Sequence, residues 1–251
     1  DYQSEVTKFD NESKELCNWY VGQKQGEIWG YETYGLFQSE QEIAGAANQD
    51  KVSGGIKLMP GDIRFVDRNN DGVIDWGDNT VDNPGDKKII GNSTPRYHYG
   101  INLGADWKGF DLGIFFQGVG KRDLYLPGTS FRSHYGSEWQ VPSAYNNDYW
   151  TEENTGAYFP RARFNGGSAI NQAQTRYMVD ASYCRLKSLS IGYTLPKVLT
   201  QKASIEKIRI YFTGENLFTI SDTPDGLDPE LDNPYTYPMQ RSLSVGLSLT
   251  F

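Results

Sequence analysis

A two-residue alternation closes the chain. Over residues 241–251, Leu243, Val245, Leu247, Leu249 and Phe251 alternate with Ser242, Ser244, Gly246, Ser248 and Thr250. Successive strand side chains point to opposite faces, so this segment reads as one strand with an apolar face and a small polar face. Its length matches the roughly 9–11 residues that a tilted strand needs to cross a bilayer. A membrane strand is the working reading, although the last strand of a soluble sandwich would show the same alternation.

The pattern recurs upstream. In residues 96–107, Tyr97, Tyr99, Ile101, Leu103, Ala105 and Trp107 share one face and Gly100, Asn102, Gly104 and Asp106 the other. Lys108-Gly109 then makes a tight reversal, and Phe110, Leu112, Ile114 and Phe116 continue the same apolar face, with Asp111, Gly113 and Gln117 opposite. Residues 182–195 put Leu189, Ile191, Tyr193 and Leu195 outward. Residues 207–218 put Ile208, Ile210 and Phe212 outward and Arg209, Tyr211, Thr213 and Glu215 inward. Water rarely tolerates so continuous an apolar face without a second sheet to cover it.

Composition agrees with an all-β chain. Aromatics make up 14% and glycines number 27 in 251 residues, while hydrophobics reach only 37%, which favours many short strands joined by turns over helices. No run approaches the ~18 apolar residues of a membrane helix. The mean hydropathy of −0.62 suits a barrel whose strands each turn one face to a watery lumen. A net charge of −8 argues against nucleic acid as a partner, since phosphate binding needs a basic patch. Cys17 and Cys184 lack metal-ligand spacing and are expected to be free, or at most one bridge.

Connections alternate in length: short at 108–109, long at 119–180, short near 196–206, long near 220–238. Outer-membrane barrels keep short turns on the periplasmic side and long loops outside. The long segment 119–180, rich in aromatics such as Trp139, Tyr145, Tyr149, Trp150, Tyr158 and Phe159, is therefore expected to be extracellular, where these rings could stack on sugars, pack on a partner or hold the loop together. Residues 27–37 read as one further strand and 51–59 as loop.

The most specific motif is DRNNDGVIDWGD at residues 67–78. Counting Asp67 as the first position, oxygen donors fall at the first, third, fifth, ninth and twelfth as Asp67, Asn69, Asp71, Asp75 and Asp78. Gly72 stands where the loop must turn sharply, and Val73 can offer its carbonyl. A hard dication needs six to eight converging oxygens, and this EF-hand spacing supplies them. The expected ion is Ca²⁺, with Mg²⁺ as the alternative. Asp78 in place of the usual Glu is shorter and should weaken the site. The competing reading is a loop of Asx turns with solvated carboxylates. Connection parity puts this loop on the extracellular side.

Several stretches together resemble a known family. GEIWGYETYGLFQSEQEI, GDIRFVDRNNDGVID, KIIGNSTPRYHYGINLGADWKGFDLGIFFQG, DASYCRLKSLSIGYTLPK, RIYFTGENLFT and the terminal SVGLSLTF, covering most of residues 26–251 in order, are similar to the C-terminal part of SusC/RagA-type TonB-dependent outer-membrane transporters. The resemblance implies that residues 1–251 are part of a plugged transmembrane barrel of about 22 strands, contributing roughly six. It also implies a SusD-like surface lipoprotein lid, energisation by the TonB complex, contact with outer-membrane lipid, and import of glycan or peptide fragments. The plug and the TonB-contacting segment have no counterpart here. Residues 1–15 are polar without a period and carry no secretory signal, so export implies a mature fragment or an upstream region.

Two other classes fit less well. A hydrolase needs a nucleophile or an acid/base pair, and His98 and His134 sit in no nucleophile motif, so an enzyme is not expected. A soluble, calcium-stabilised glycan-binding module would suit the metal loop and the aromatics but not strands with outward apolar faces.

Overall fold

The computed structural model describes residues 5–125, 148–163, 167–201, 204–224, 227–231 and 236–251. The chain forms two compact units, Asp1–Thr94 with Leu124–Val179, and Pro95–Asp123 with Asp180–Phe251.

In the first unit, residues 27–37 are not one strand. β1 (Glu27–Tyr31) pairs antiparallel with β4 (Lys87–Asn92), and β2 (Thr33–Leu36) pairs with β3 (Ile63–Phe65). The chain changes ladder at Glu32 because Tyr31 turns into the core, its ring tilted against Phe65 with centroids 5.3 Å apart. Tyr31, Ile63, Ile74, Trp150 and Ile170 are among the residues that build this core. The aromatics of the long segment thus divide: Trp150 and Phe159 are buried core, and Tyr149 and Tyr158 are partly exposed. Trp139 and Tyr145 lie outside the described residues.

Two short helices complete the frame. α1 (Glu40–Ala44) begins at Ser39, whose Oγ accepts the Glu42 N–H at 3.2 Å, while Glu42 Oε2 accepts the Gln38 N–H at 2.8 Å. α2 (Asp50–Ser53) occupies a stretch expected to be loop and ends on Gly54 at φ 79°, the left-handed conformation that stops a helix.

The second unit is one antiparallel sheet. Its strands are β5 (Tyr97–Trp107), β6 (Phe110–Gly120), β9 (Tyr183–Thr194), β10 (Lys207–Glu215) and β12 (Ser242–Thr250), in spatial order β12-β10-β9-β6-β5, with the short β11 (Thr219–Ser221) also on β9. Numbered between them, β7 (Asp123–Tyr125) and β8 (Met178–Asp180) pair with each other. Apart from β11, the strands of this sheet follow one another in space as in sequence, the up-and-down order of a barrel wall. Lys108 and Gly109, at φ 49° and 91°, make the two-residue turn between β5 and β6. A third short helix, α3 (Lys197–Thr200), follows β9.

Register carries the alternation across the whole sheet. One row runs Ala105, Leu112, Ile191, Phe212, Val245; the next runs Trp107, Phe110, Tyr193, Ile210, Leu247. The opposite face reads Gly104, Gly113, Ser190, Thr213, Ser244 and then Asp106, Asp111, Gly192, Tyr211, Gly246. Directly paired residues share a face. The five strands expected from periodicity are therefore in one register, with apolar side against apolar side.

Among the described residues, nothing in its own unit covers the apolar face. Leu103 is 52% exposed, Leu247 59% and Val245 78%, each in the middle of a strand. At the short-turn end this face ends in aromatics: Phe110 and Tyr193 lie 4.5 Å apart, and the Lys108 ammonium sits 5.0 Å from the Trp107 ring. Aromatics flanking an apolar band are what a membrane interface selects. Among the described residues β5 pairs only with β6 and β12 only with β10, so each outer strand offers one free edge.

Candidate functional site

The loop 67–78 is built by its own side chains. Asp67 accepts N–H groups from Asn70 (2.7 Å) and Gly72 (2.9 Å), Asn69 from Asp71 (3.1 Å), and Asp71 from Val73 (2.8 Å). Asn70 at φ 60° and Gly72 at φ 84° give the coil its tight turns. Ile74 lies fully buried, its N–H bonded to the Asn48 carbonyl at 2.7 Å, which pins the loop to the core. Asp86, also fully buried, accepts the N–H groups of Arg68 (2.7 Å) and Asp75 (2.9 Å) and so ties both sides of the loop together. Burial pushes the Asp86 carboxyl up, against the lowering effect of those backbone donors.

The six donors predicted from spacing do not all converge. Asp67, Asn69 and Asp71 wind around one coil, with the Val73 carbonyl next in line. Asp75 instead pairs with Lys51 at 2.6 Å, and Asp78 accepts Asn83 Nδ2 at 2.8 Å. The hydrogen bond from Lys51, helped by the Gly77 N–H, holds the Asp75 carboxyl below its ordinary value. Among the described residues no group of three or more His, Cys, Asp or Glu is arranged to hold a metal. In the first half of the loop the side-chain oxygens of Asp67, Asn69 and Asp71 accept the loop's own donors, and in the second half Lys51 and Asn83 hold the carboxylates Asp75 and Asp78. Lys51 and Asp86 escape a reading by spacing because they lie outside the motif. Cys17 and Cys184 are both free thiols.

The sheet carries a second polar arrangement on its inner face. A bulge in β9, where Phe115 faces Ser188 but Phe116 faces Leu186, leaves Lys187 unpaired and puts Arg185 and Tyr183 on the inner side. Arg185 reaches Asp228 at 2.6 Å and Thr219 Oγ1 at 2.7 Å, Lys187 reaches Glu230 at 2.8 Å, and Arg122 donates to the Pro229 carbonyl at 2.9 Å. Three cations therefore hold residues 228–230 of the long 220–238 connection against the inner wall. Burial pushes the Asp228 carboxyl up, but Arg185 and the N–H groups of Glu230 and Met239 outweigh it and hold the group below its ordinary value. No periodicity announces this clamp, because its partners stand 43 residues apart.

The arrangement can face two media at once, lipid on one side and a polar lumen on the other. No protein-family model matches the chain. TonB-dependent receptor P3 of Formosa agariphila is 32% identical over 248 residues, covering 92% of this chain and 22% of the relative. TonB-dependent receptor SusC of Bacteroides thetaiotaomicron is 29% identical over 194 residues, covering 74% and 17%. The chain spans less than a quarter of the length of these relatives. A structure of the RagAB peptide transporter superposes with a TM-score of 0.70 at 23% identity over 99% of this chain and 26% of that one. The RagAB peptide importer in its closed-closed state gives a TM-score of 0.67 at 22% identity. Kinship along nearly the whole chain, joined to a sheet with one lipid-type and one lumen-type face, places this protein in the SusC/RagA-type TonB-dependent receptors, as part of a large β-barrel of the Gram-negative outer membrane.

Proposed function

We propose that the chain forms part of the wall of an outer-membrane importer that takes up oligomeric nutrients, glycan or peptide fragments, with energy supplied through TonB. The carrying observation is the two-faced sheet: five strands in register, uncovered apolar rows on one side, small and charged residues on the other. An importer needs both faces, because lipid tolerates no polar row and a hydrated path no apolar one. Likeness to SusC and RagAB supports a SusD-like surface lipoprotein as the partner and the remaining strands and plug as the rest of the barrel. Uptake of a labelled oligosaccharide or oligopeptide by cells carrying the whole receptor tests this reading. Uptake should vanish on deletion of the receptor and on collapse of the proton gradient that drives TonB.

The loop 67–78 is, in this reading, a weak Ca²⁺ site of the extracellular side, with Mg²⁺ second. The coil of Asp67, Asn69 and Asp71 supports it, and Lys51 must release Asp75 before the ninth donor can join. An affinity on the order of 10⁻⁴–10⁻³ M suits an extracellular site with a short twelfth residue.

A further inference from the structure

The ladder between β2 and β3 contains an irregularity. Thr33 faces Phe65 and Gly35 faces Arg64, so Tyr34 is an extra residue with no partner across the ladder. A bulge of this kind re-aims a side chain, and bulges concentrate beside binding sites. Here it throws the Tyr34 ring outward, where it is 72% exposed although it belongs to a strand of the core unit. Arg64 lays its guanidinium on that ring, 4.4 Å from the centroid, with Phe37 5.8 Å away. No carboxylate pairs with Arg64 among the described residues.

Two clefts adjoin this stack. One of about 290 Å³ is walled by Gln38, Glu42 and Arg176 and the other, of about 210 Å³, by Gly45, Ala47 and Asp67, and Tyr34 and Arg64 line both. Arg176 is fixed by bonds to the carbonyls of Ala157 (2.6 Å) and Tyr158 (2.8 Å), which adds a second guanidinium to the larger cleft. Glu42 spends one carboxylate oxygen on the Gln38 N–H.

We infer that the Tyr34–Arg64 stack is a binding platform for an anionic pyranose, a sugar ring bearing a carboxylate. Each part of the arrangement answers one part of that ligand. The open face of Tyr34 suits the C–H face of a pyranose. The Arg64 fork, flattened on the ring and unpaired, suits a bidentate carboxylate. Glu42 accepts from ring hydroxyls. Four of the residues lining the larger cleft, Gln38, Glu42, Arg64 and Arg176, are charged or amide-bearing and offer a sugar's hydroxyls partners that an apolar peptide side chain would not use. The volume lies near the lower end of ligand pockets, about 300–1,000 Å³, which fits a chain end of one or two rings.

This inference rests on the importer reading in placing the platform on a saccharide's route, and the test separates the two. The whole receptor, purified in detergent, is titrated calorimetrically with a glucuronate tetrasaccharide, the matching neutral glucose tetrasaccharide and a tetrapeptide. The platform predicts at least a tenfold preference for the acidic sugar. That preference is lost in Arg64→Gln, affinity falls at least tenfold in Tyr34→Ala, and Tyr34→Phe changes nothing. Should Tyr34→Ala fail to fold, Arg64→Lys and a salt titration decide, since the lysine should lose most of the preference and added NaCl should weaken the acidic sugar only. Equal binding of the three probes, or a preference kept in Arg64→Gln, overturns the inference. Intact uptake with unchanged binding in both variants removes the platform alone. Absent uptake with the predicted binding pattern removes the importer reading alone.

Discussion

Arg209 and Asp111 reach each other across an intervening strand: Nε meets Oδ1 at 2.9 Å and Nη2 meets Oδ2 at 2.5 Å, over the bare backbone of Gly192. A Cβ on Gly192 would lie 2.5 Å from Asp111 Oδ1 and 2.6 Å from Arg209 Nε, so the glycine is what lets a strand pass beneath an ion pair. Gly192→Val should cost on the order of 1–3 kcal/mol by overpacking. The same change in an Asp111→Ala background should cost less, because the clash partner is gone. Thermal unfolding of the detergent-solubilised receptor measures both, and additive costs would contradict the arrangement.

The two faces of the sheet predict opposite responses to charge. Leu103→Arg or Leu247→Arg should cost about 2–4 kcal/mol near the bilayer midplane, whereas Ser248→Asn, one residue along β12 on the opposite face, should be close to neutral. Unfolding in lipid vesicles reads the difference. Equal costs on the two faces would mean that both sides are packed.

Lys51 and a metal compete for one carboxylate. Lys51→Met should free Asp75 and tighten Ca²⁺ binding several-fold, while Asp71→Ala should abolish the heat of binding in calorimetry. Because Lys51 depresses the Asp75 value, the stabilisation from this pair is present above the ordinary aspartate value of 3.8 and fades as pH falls through the lowered one. An unchanged calcium titration in Asp71→Ala would remove the assignment.

The clamp on residues 228–230 is sensitive to both mutation and acid. Asp228→Asn leaves Arg185, only 4% exposed, without its closest anionic partner. The expected cost is about 2–3 kcal/mol, less than the ~3–5 kcal/mol of a fully dry pair because Glu230 remains nearby. Asp228 is held below its ordinary value, so the stabilisation persists above 3.8 and is lost as pH falls through the depressed value. Hydrogen exchange at residues 228–230 should accelerate in the mutant at neutral pH and in the wild type only under strong acid.

What was legible in the chain follows from how each feature is encoded. The strands, their faces, the Lys108-Gly109 turn and the β10–β12 pairing were readable because alternation is local and register follows from keeping apolar rows together. The division at Glu32 was not, because a run dense in aromatics and glycine looks like one strand until tertiary packing claims Tyr31. The Ser39 cap has a local signature, a serine followed three residues later by Glu42. Spacing found the donors at 67–78 but could not find Lys51, which reaches Asp75 from 24 residues away. The Arg185 and Lys187 clamp depends on a bulge and on a distant loop, and neither leaves a periodic trace.

The most direct test of the account concerns the sheet's uncovered face and its two free edges. Unpaired backbone at an edge is not tolerated in hydrocarbon, and rows such as Ile210 and Leu247 are not tolerated in water. Residues 1–251 expressed alone are therefore predicted to aggregate without detergent, with sedimentation velocity showing no discrete monomer. A folded, monodisperse, soluble monomer in the same measurement would contradict both the barrel-wall assignment and the import function built on it.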